Sequence, residues 1–261
     1  MYMIKIIKII TFSIVIILRS NLIGNFYPLI SKNINKITND IVNINKKLIK
    51  KDTLNILTLA TPFYLTSLIF DKNISSIFYD EKDHKNVNYL PYYSSYSQIS
   101  NILLSGSIIC CLSCLLSNDK KFRLANYELL LGLPLIGISK SLIKLIKWNG
   151  SLRPPNQYFM KDKKYYGGFP SGHLTTMSYI STIWIKQYGI KTTCPFLLIS
   201  GYMFLDYIMQ NRHYTSQLIA GITLGSIFGL AVSSLIDDKI LSKSNLKLKN
   251  KDLDLKLIYK F

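Results

Sequence analysis

Gly167-Gly168-Phe169-Pro170-Ser171-Gly172-His173-Leu174 is a turn that runs directly into an apolar stretch, Leu174–Tyr188. Glycine and proline interrupt regular structure, and the residues after them read as the first turn of a helix. A helix opening here aims its unpaired N–H groups, the Ser171 hydroxyl and the His173 imidazole toward one point. The positive end of the helix dipole makes that point a place for an anion, and phosphate is the usual guest. Histidine can also give or take a proton near neutral pH. Taken alone, the same residues equally describe a plain helix start with a capping or solvated His173, so the surrounding chain has to decide.

Outward from this turn, the apolar residues gather into long runs. The chain has 261 residues, 49% of them hydrophobic. The runs are Ile4–Leu18, Leu54–Phe70, Ile99–Leu116, Leu129–Ile146, Leu174–Tyr188, Pro195–Met209 and Leu218–Ile236. A bilayer crossing takes ~20 largely apolar residues, and several runs reach that with their flanks. Soluble helices do not account for so many, and the expected fold class is an all-α polytopic membrane bundle. Six crossings form its core, preceded by an N-terminal signal peptide or signal anchor.

The net charge of +18 does not point to nucleic acid, because the lysines lie between the apolar runs rather than on one helix face. Lys46, Lys47, Lys50 and Lys51 precede the second run, and Lys120, Lys121 and Arg123 precede the fourth. The segment Asp71–Tyr96 is acidic by comparison. Alternate loops are therefore basic, as expected for cytoplasmic ones, and Asp71–Tyr96 is expected outside. Cys110, Cys111, Cys114 and Cys194 sit in or beside apolar runs and read as small hydrophobes. No metal site and no cofactor is expected.

Residues 1–24 read as the signal segment and 25–53 as a polar, basic lead-in with an amphipathic helix over Asp40–Leu54. Residues 54–236 form the membrane domain, and 237–261 a basic tail. The alternation Leu246-Lys247-Leu248-Lys249 suggests a marginal strand or a disordered tail. Gly221, Gly225 and Gly229 recur every four residues and are assigned to close helix packing. With 25–53 inside, parity brings the loops carrying His173 and His213 to one membrane face. Two crossings of similar length separate them.

Three segments then converge: Lys144–Pro154, Phe169–His173 and Asn211–Gln217. They supply Arg153 for bidentate phosphate contact, lysines at 144 and 147, a helix N-terminus, and two histidines. Two histidines with opposite duties can run phosphoryl transfer: one attacks phosphorus, and the other protonates the leaving oxygen and later deprotonates water. Cations stabilise the charge on the equatorial oxygens.

Here the chain resembles the type 2 phosphatidic acid phosphatase family, of the acid phosphatase/vanadium haloperoxidase superfamily. That family's pattern is K-x6-R-P, then P-S-G-H, then S-R-x5-H-x3-D. The resemblance spans roughly residues 54–236, is complete over Pro170–His173, and includes Arg153-Pro154. The expected lysine falls at Ile146, so Lys147 is preferred and Lys144 held in reserve. The resemblance implies His213 as nucleophile, His173 as general acid, and Arg153, Ser171 and Gly172 as phosphate ligands. In the third element Asp206 replaces the serine, Tyr207 the arginine and Gln217 the aspartate. Gln217 can still orient His213 through its carbonyl oxygen but carries no charge. Arg212 is the candidate to stand in for the missing arginine.

The expected function is a lipid-phosphate phosphatase acting on phosphomonoesters or diphosphates without a metal. It is expected in a bacterial cell membrane, with its site on the outer side. The altered third element supports a second expectation, a catalytically impaired phospholipid-binding or scaffold protein of the same fold.

Overall fold

The computed structural model describes residues 39–40, 42–44, 46–80, 82–83, 85–87, 98–113, 120–155 and 165–258. The expected signal segment, 1–24, lies outside the described residues, as does most of the basic lead-in. The chain divides into a short unit, Met1–Asn43, and a larger one, Ile44–Phe261, which holds everything considered below.

The described part is helical: α1 Lys51–Phe78, α2 Gln98–Ser113, α3 Lys120–Leu145, α4 Gly172–Tyr188, α5 Ile190–Met209 and α6 Thr215–Ile258. A 3₁₀ turn, Asn149–Ser151, follows α3. The one departure from an all-α chain among the described residues is an antiparallel pair, β1 Tyr79–Asp80 with β2 Lys85–Asn86, in register Tyr79 to Asn86. It closes the turn after α1, where the Asp80 carboxylate accepts from the N–H of Lys82 at 2.8 Å.

Among the described residues, three helices are long and apolar enough to cross a membrane: α1, α5, and α6 over Thr215–Lys239. The others fall short for separate reasons. α2 and α4 have 16 and 17 residues, and α3 carries Lys120, Lys121, Arg123, Glu128, Lys140 and Lys144. α4 is moreover enclosed by α3, α5 and α6 and buries most of its residues against them. A helix surrounded by protein needs no lipid-facing stripe, and Thr175, Thr176, Ser178 and Ser181 are buried on it. The hydroxyls of Thr175 and Thr176 bond back to the carbonyls of Ser171 and Gly172, at 2.7 and 3.1 Å.

The glycine stripe of α6 seats α4. A Cβ on Gly221 would lie 2.7 Å from the Ser171 carbonyl oxygen, and one on Gly225 would lie 2.1 Å from that of Thr175. One on Gly229 would meet the Thr182 side chain at 2.7 Å. The two backbones approach as closely as they do because no side chain intervenes. At the other end of α4, the buried Glu128 carboxylate accepts from Gln187 at 2.9 Å and from Ser233 at 3.0 Å. The Tyr179 hydroxyl donates to the Glu128 carbonyl at 2.5 Å. These bonds satisfy a carboxylate that would otherwise be costly to bury, and they tie α3, α4 and α6 together.

The tail corrects an expectation. Instead of a strand or disordered tail after Asp237, α6 continues as one helix to Ile258. Four alternating residues are too few to impose a strand. Leucine and lysine are good helix formers, and neither glycine nor proline interrupts 237–258.

Candidate active site

Both α4 and α6 begin at the same place, and the site is built where they start. The N–H of Ser171 donates to the Gln217 carbonyl at 3.0 Å, joining the loop before α4 to the first turn of α6. Asp71, two turns before the end of α1, caps α6, accepting from the Ser216 N–H at 3.0 Å and from the Ser216 hydroxyl. A carboxylate there satisfies donors that an α-helix start leaves open.

His213 lies in the turn between α5 and α6 and is buried. Its Nδ1 is 3.1 Å from the Gln217 Oε1, and its Nε2 is 3.3 Å from the Arg153 Nη1. The amide of Gln217 is oriented by its other end, where Nε2 donates to the carbonyls of Leu152 at 2.6 Å and Gly150 at 3.1 Å. With Oε1 thus facing the imidazole, Nδ1 carries the proton and Nε2 keeps its lone pair toward the guanidinium. Both neighbours select the same tautomer. Burial first, then the charges of Arg153 and Lys144, holds the His213 pKa well below the usual histidine range, against the pull of Gln217.

Arg153 is fixed from three directions. Its N–H donates to the Tyr165 carbonyl at 2.8 Å, its Nη1 donates to the Arg212 carbonyl at 2.9 Å, and its guanidinium lies 5.6 Å from the Tyr165 ring centroid. The 3₁₀ turn before it is closed by the Ser151 hydroxyl, which donates to the Trp148 carbonyl at 2.8 Å. Asn211 adopts a left-handed backbone (φ 51) and bonds the Pro155 carbonyl at 2.6 Å, holding the histidine loop against this turn.

His173 begins α4. Its Nε2 is 2.5 Å from the Asn101 Oδ1 of α2, so that nitrogen carries a proton. Burial, then Arg212, Lys140, Lys144 and Arg153, lowers its pKa to about 4. The His173 and His213 rings each contact Tyr207, with centroids 5.7 and 5.6 Å from it. The Arg212 guanidinium carbon stands 5.0 Å from the same ring centroid. Tyr207 therefore lies against both imidazoles and gives Arg212 a surface to rest on.

Of the two lysines weighed from spacing, Lys144 is the one beside the helix start: its Nζ is 3.6 Å from where a Cβ of Gly172 would be. Lys147 lies past the end of α3 and is exposed. Ser171 is fully buried, and its hydroxyl has no hydrogen-bond partner among the described residues. Asp206 is buried and accepts from Gln210 at 2.6 Å, within its own helix end.

Three participants were not read from the sequence. Asn101 is 72 positions from His173. Gly168 admits Gln217, because a Cβ there would lie 2.5 Å from Oε1. Lys140 places its Nζ 3.8 Å from the Gly172 Cβ position and 3.3 Å from the Thr176 hydroxyl. It had a legible signal, being four residues before Lys144 inside an apolar run.

No family model matches the chain, and no curated protein matches it. A solved structure that is similar is the crystal structure of the first transmembrane PAP2 type phosphatidylglycerolphosphate phosphatase from Bacillus subtilis. The identity is 13%, the TM-score 0.36, and the match covers 68% of this chain and 96% of that one. At that score the likeness has no bearing on the chemistry, for which the side chains above are the basis.

Proposed function

We propose that this chain is a membrane phosphatase for lipid phosphates, working through a phosphohistidine on His213. The observation that carries the reading is the orientation of that ring. Nδ1 is engaged by Gln217, Nε2 faces the Arg153 guanidinium, and a second histidine shares the Tyr207 platform. A phosphate drawn in by Arg153, Arg212, Lys144 and the start of α4 displaces the guanidinium from Nε2. The Nε2–P bond forms as the bond to the leaving oxygen breaks, and that oxygen takes a proton from His173. Water then attacks phosphorus, its proton returns to His173, and phosphate leaves. Burial first, and then the surrounding cations, keep His173 neutral in the free site; a bound dianion offsets the cations, so binding favours the protonated acid.

A substrate with hydrocarbon tails suits a site carried on helices apolar enough for a membrane. We place the chain in a bacterial cell membrane with the site on the outer side. The domain is read as six crossings over 54–236, with α2, α3 and α4 supported by their neighbours. Phosphate release from a lipid-phosphate panel in EDTA tests the reading. It is expected from the full chain and lost in His213→Ala and His173→Ala, and full activity in both variants would overturn it.

One observation favours a second reading, a phospholipid-binding protein with little turnover. Gln217 gives His213 an oxygen without a charge, so an imidazolium has less support than beside a carboxylate. That reading expects vesicle binding weakened by Arg153→Ala and no phosphate release from any lipid.

A further inference from the structure

The N–H of Ser216, in the first turn of α6, finds its acceptor far away in sequence. Tyr214 holds the capping position before α6, where serine, threonine, aspartate or asparagine would take this donor with its own side chain. Thr215 follows, and its buried hydroxyl has no hydrogen-bond partner among the described residues. The acceptor is Asp71, 145 positions earlier, at 3.0 Å, and the Ser216 hydroxyl donates to its other carboxylate oxygen. The rest of this turn leads to His213. The Oε1 of Gln217 accepts from the N–H of Tyr214 at 3.4 Å and lies 3.1 Å from Nδ1 of His213. A side-chain acceptor on one side and a glutamine reaching back on the other make up a capping box. Here α1 supplies the first half, and the imidazole shares the second.

The way α1 is attached gives this bond its weight. Its buried residues are Thr53, Ser67, Asp71 and Ser75, all polar, while Leu65, Leu68, Ile69 and Phe70 around Asp71 are exposed. Further along both helices an apolar cavity of about 310 Å³ lies between them, with Ala60 and Tyr64 on one side and Ala220 and Leu224 on the other. Over that stretch the side chains leave a gap, so the bonds from Ser216 to Asp71 fix the register of the two helices at the site end. Two turns before Asp71, the Tyr64 ring meets Phe169 edge-on, with centroids 6.3 Å apart. α1 thus touches both the loop that leads into α4 and the start of α6.

We propose that Asp71 is a positioning residue for the nucleophile: by tying Ser216 to α1, it fixes the turn from which Gln217 reaches the His213 imidazole. The inference rests on the function proposed above, which makes His213 the nucleophile. Without the tie, the first turn of α6 loses the partner of an open donor and frays, as uncapped helix ends do. Oε1 is then released from Nδ1, and the ring samples both tautomers. The form with its proton on Nε2 has no lone pair there to attack phosphorus.

Kinetics of the full chain in detergent on dioctanoyl phosphatidic acid test the inference. Asp71→Ala is expected to lower kcat about tenfold or more with KM changed less than about threefold, the pattern of an interaction lost in the transition state. Asp71→Asn keeps an acceptor for the Ser216 N–H and can donate to its hydroxyl, so it should recover most of that loss. On a Gln217→Leu background Asp71→Ala should lower kcat by less than about threefold, because the route it acts through is gone, whereas a merely stabilising cap gives one factor on both backgrounds. Equal factors, an unimpaired Asp71→Ala, or an Asp71→Asn as poor as Asp71→Ala would overturn the inference. Ser216→Ala removes one of the two bonds and serves if Asp71→Ala does not fold. A loss of about threefold that vanishes on the Gln217→Leu background is expected there, and no loss, or one that persists, overturns the inference. Nitrogen NMR of the histidine-labelled full chain reads the same link without turnover, with His213 identified by comparison with His213→Gln. Nδ1 is expected to be protonated in the wild type, to give a mixture of tautomers in Asp71→Ala, and to return in Asp71→Asn. If no lipid phosphate is turned over, the function proposed above fails and the spectrum decides on Asp71 alone: an imidazole unchanged in Asp71→Ala removes it.

Discussion

The side-chain oxygen of Gln217 stands 3.1 Å from Nδ1 of His213, one helical turn away, while its amide nitrogen holds the carbonyls of Leu152 and Gly150. Gln217 is thus both the orienting partner of the imidazole and the link between α6 and the segment that carries Arg153. A carboxylate can do only the first of these, because its two oxygens only accept.

A carboxylate at this position is therefore expected to harm this chain. In Gln217→Glu an oxygen replaces the nitrogen that lies 2.6 Å from the Leu152 carbonyl, leaving two acceptors facing each other. Thermal unfolding in detergent should show a loss of about 1–3 kcal/mol, with phosphate release reduced. Gln217→Leu should keep more of the fold yet lose turnover by about 10²–10⁴, through the tautomer. A gain in activity from Gln217→Glu would show that the amide has no linking role.

Gly168→Ala is expected to act on His213 without touching it. The added methyl would lie 2.5 Å from Oε1 of Gln217 and push the amide away from Nδ1. We expect kcat to fall at least about tenfold with a smaller change in KM, together with a loss of stability, because the methyl would also lie 2.7 Å from the Gln217 nitrogen that holds Leu152 and Gly150. Steady-state kinetics on a soluble lipid phosphate check this, and wild-type kcat would sink it.

The pH profile follows from His173. Its pKa is lowered to about 4 by burial and by Arg212, Lys140, Lys144 and Arg153. A depressed pKa means the free site holds the neutral form at pH 7, and protonation grows as pH falls. A reaction that needs protonated His173 should therefore have kcat/KM rising from pH 7 toward pH 5, by up to about tenfold per unit. Arg212→Gln removes the largest charge acting on this ring and should move the profile to higher pH. An optimum above pH 7 in the wild type contradicts the role given to His173.

Gly225→Val is expected to cost more stability than any of the site variants. Its Cβ would lie 2.1 Å from the Thr175 carbonyl oxygen, and backbone cannot yield as a side chain can. Overpacking typically costs about 1–3 kcal/mol, and this contact belongs at the upper end or beyond. Differential scanning in detergent should show the loss, accompanied by lost activity although residue 225 is three turns into α6. An unchanged melting temperature would mean that α4 and α6 are not held as described.

The sequence carried the parts of this site that lie in one short segment. Pro170–His173 reads as a helix start because its turn residues abut an apolar run, and parity brought His213 toward it. The lysine was harder, since spacing to Arg153 favours 147 while geometry favours 144. α3 ends at Leu145, so Lys147 falls beyond the helix, and Lys144 shares a face with Lys140 toward α4. Asn101, Gly168 and the amide end of Gln217 were not legible, because their partners are distant in sequence or are backbone carbonyls. The helical tail was missed for an opposite reason: four alternating residues were weighed above the propensity of the whole segment.

The platform under the two histidines has a kinetic consequence. Each imidazole rests on Tyr207, yet no hydrogen bond joins one ring to the other among the described residues. Under the function proposed above, a proton given up by His173 has no route back from a phosphorylated His213, and the attacking water is expected to replace it. On that mechanism the second half of the reaction depends on water at His173, and heavy water is expected to slow dephosphorylation more than phosphoryl capture.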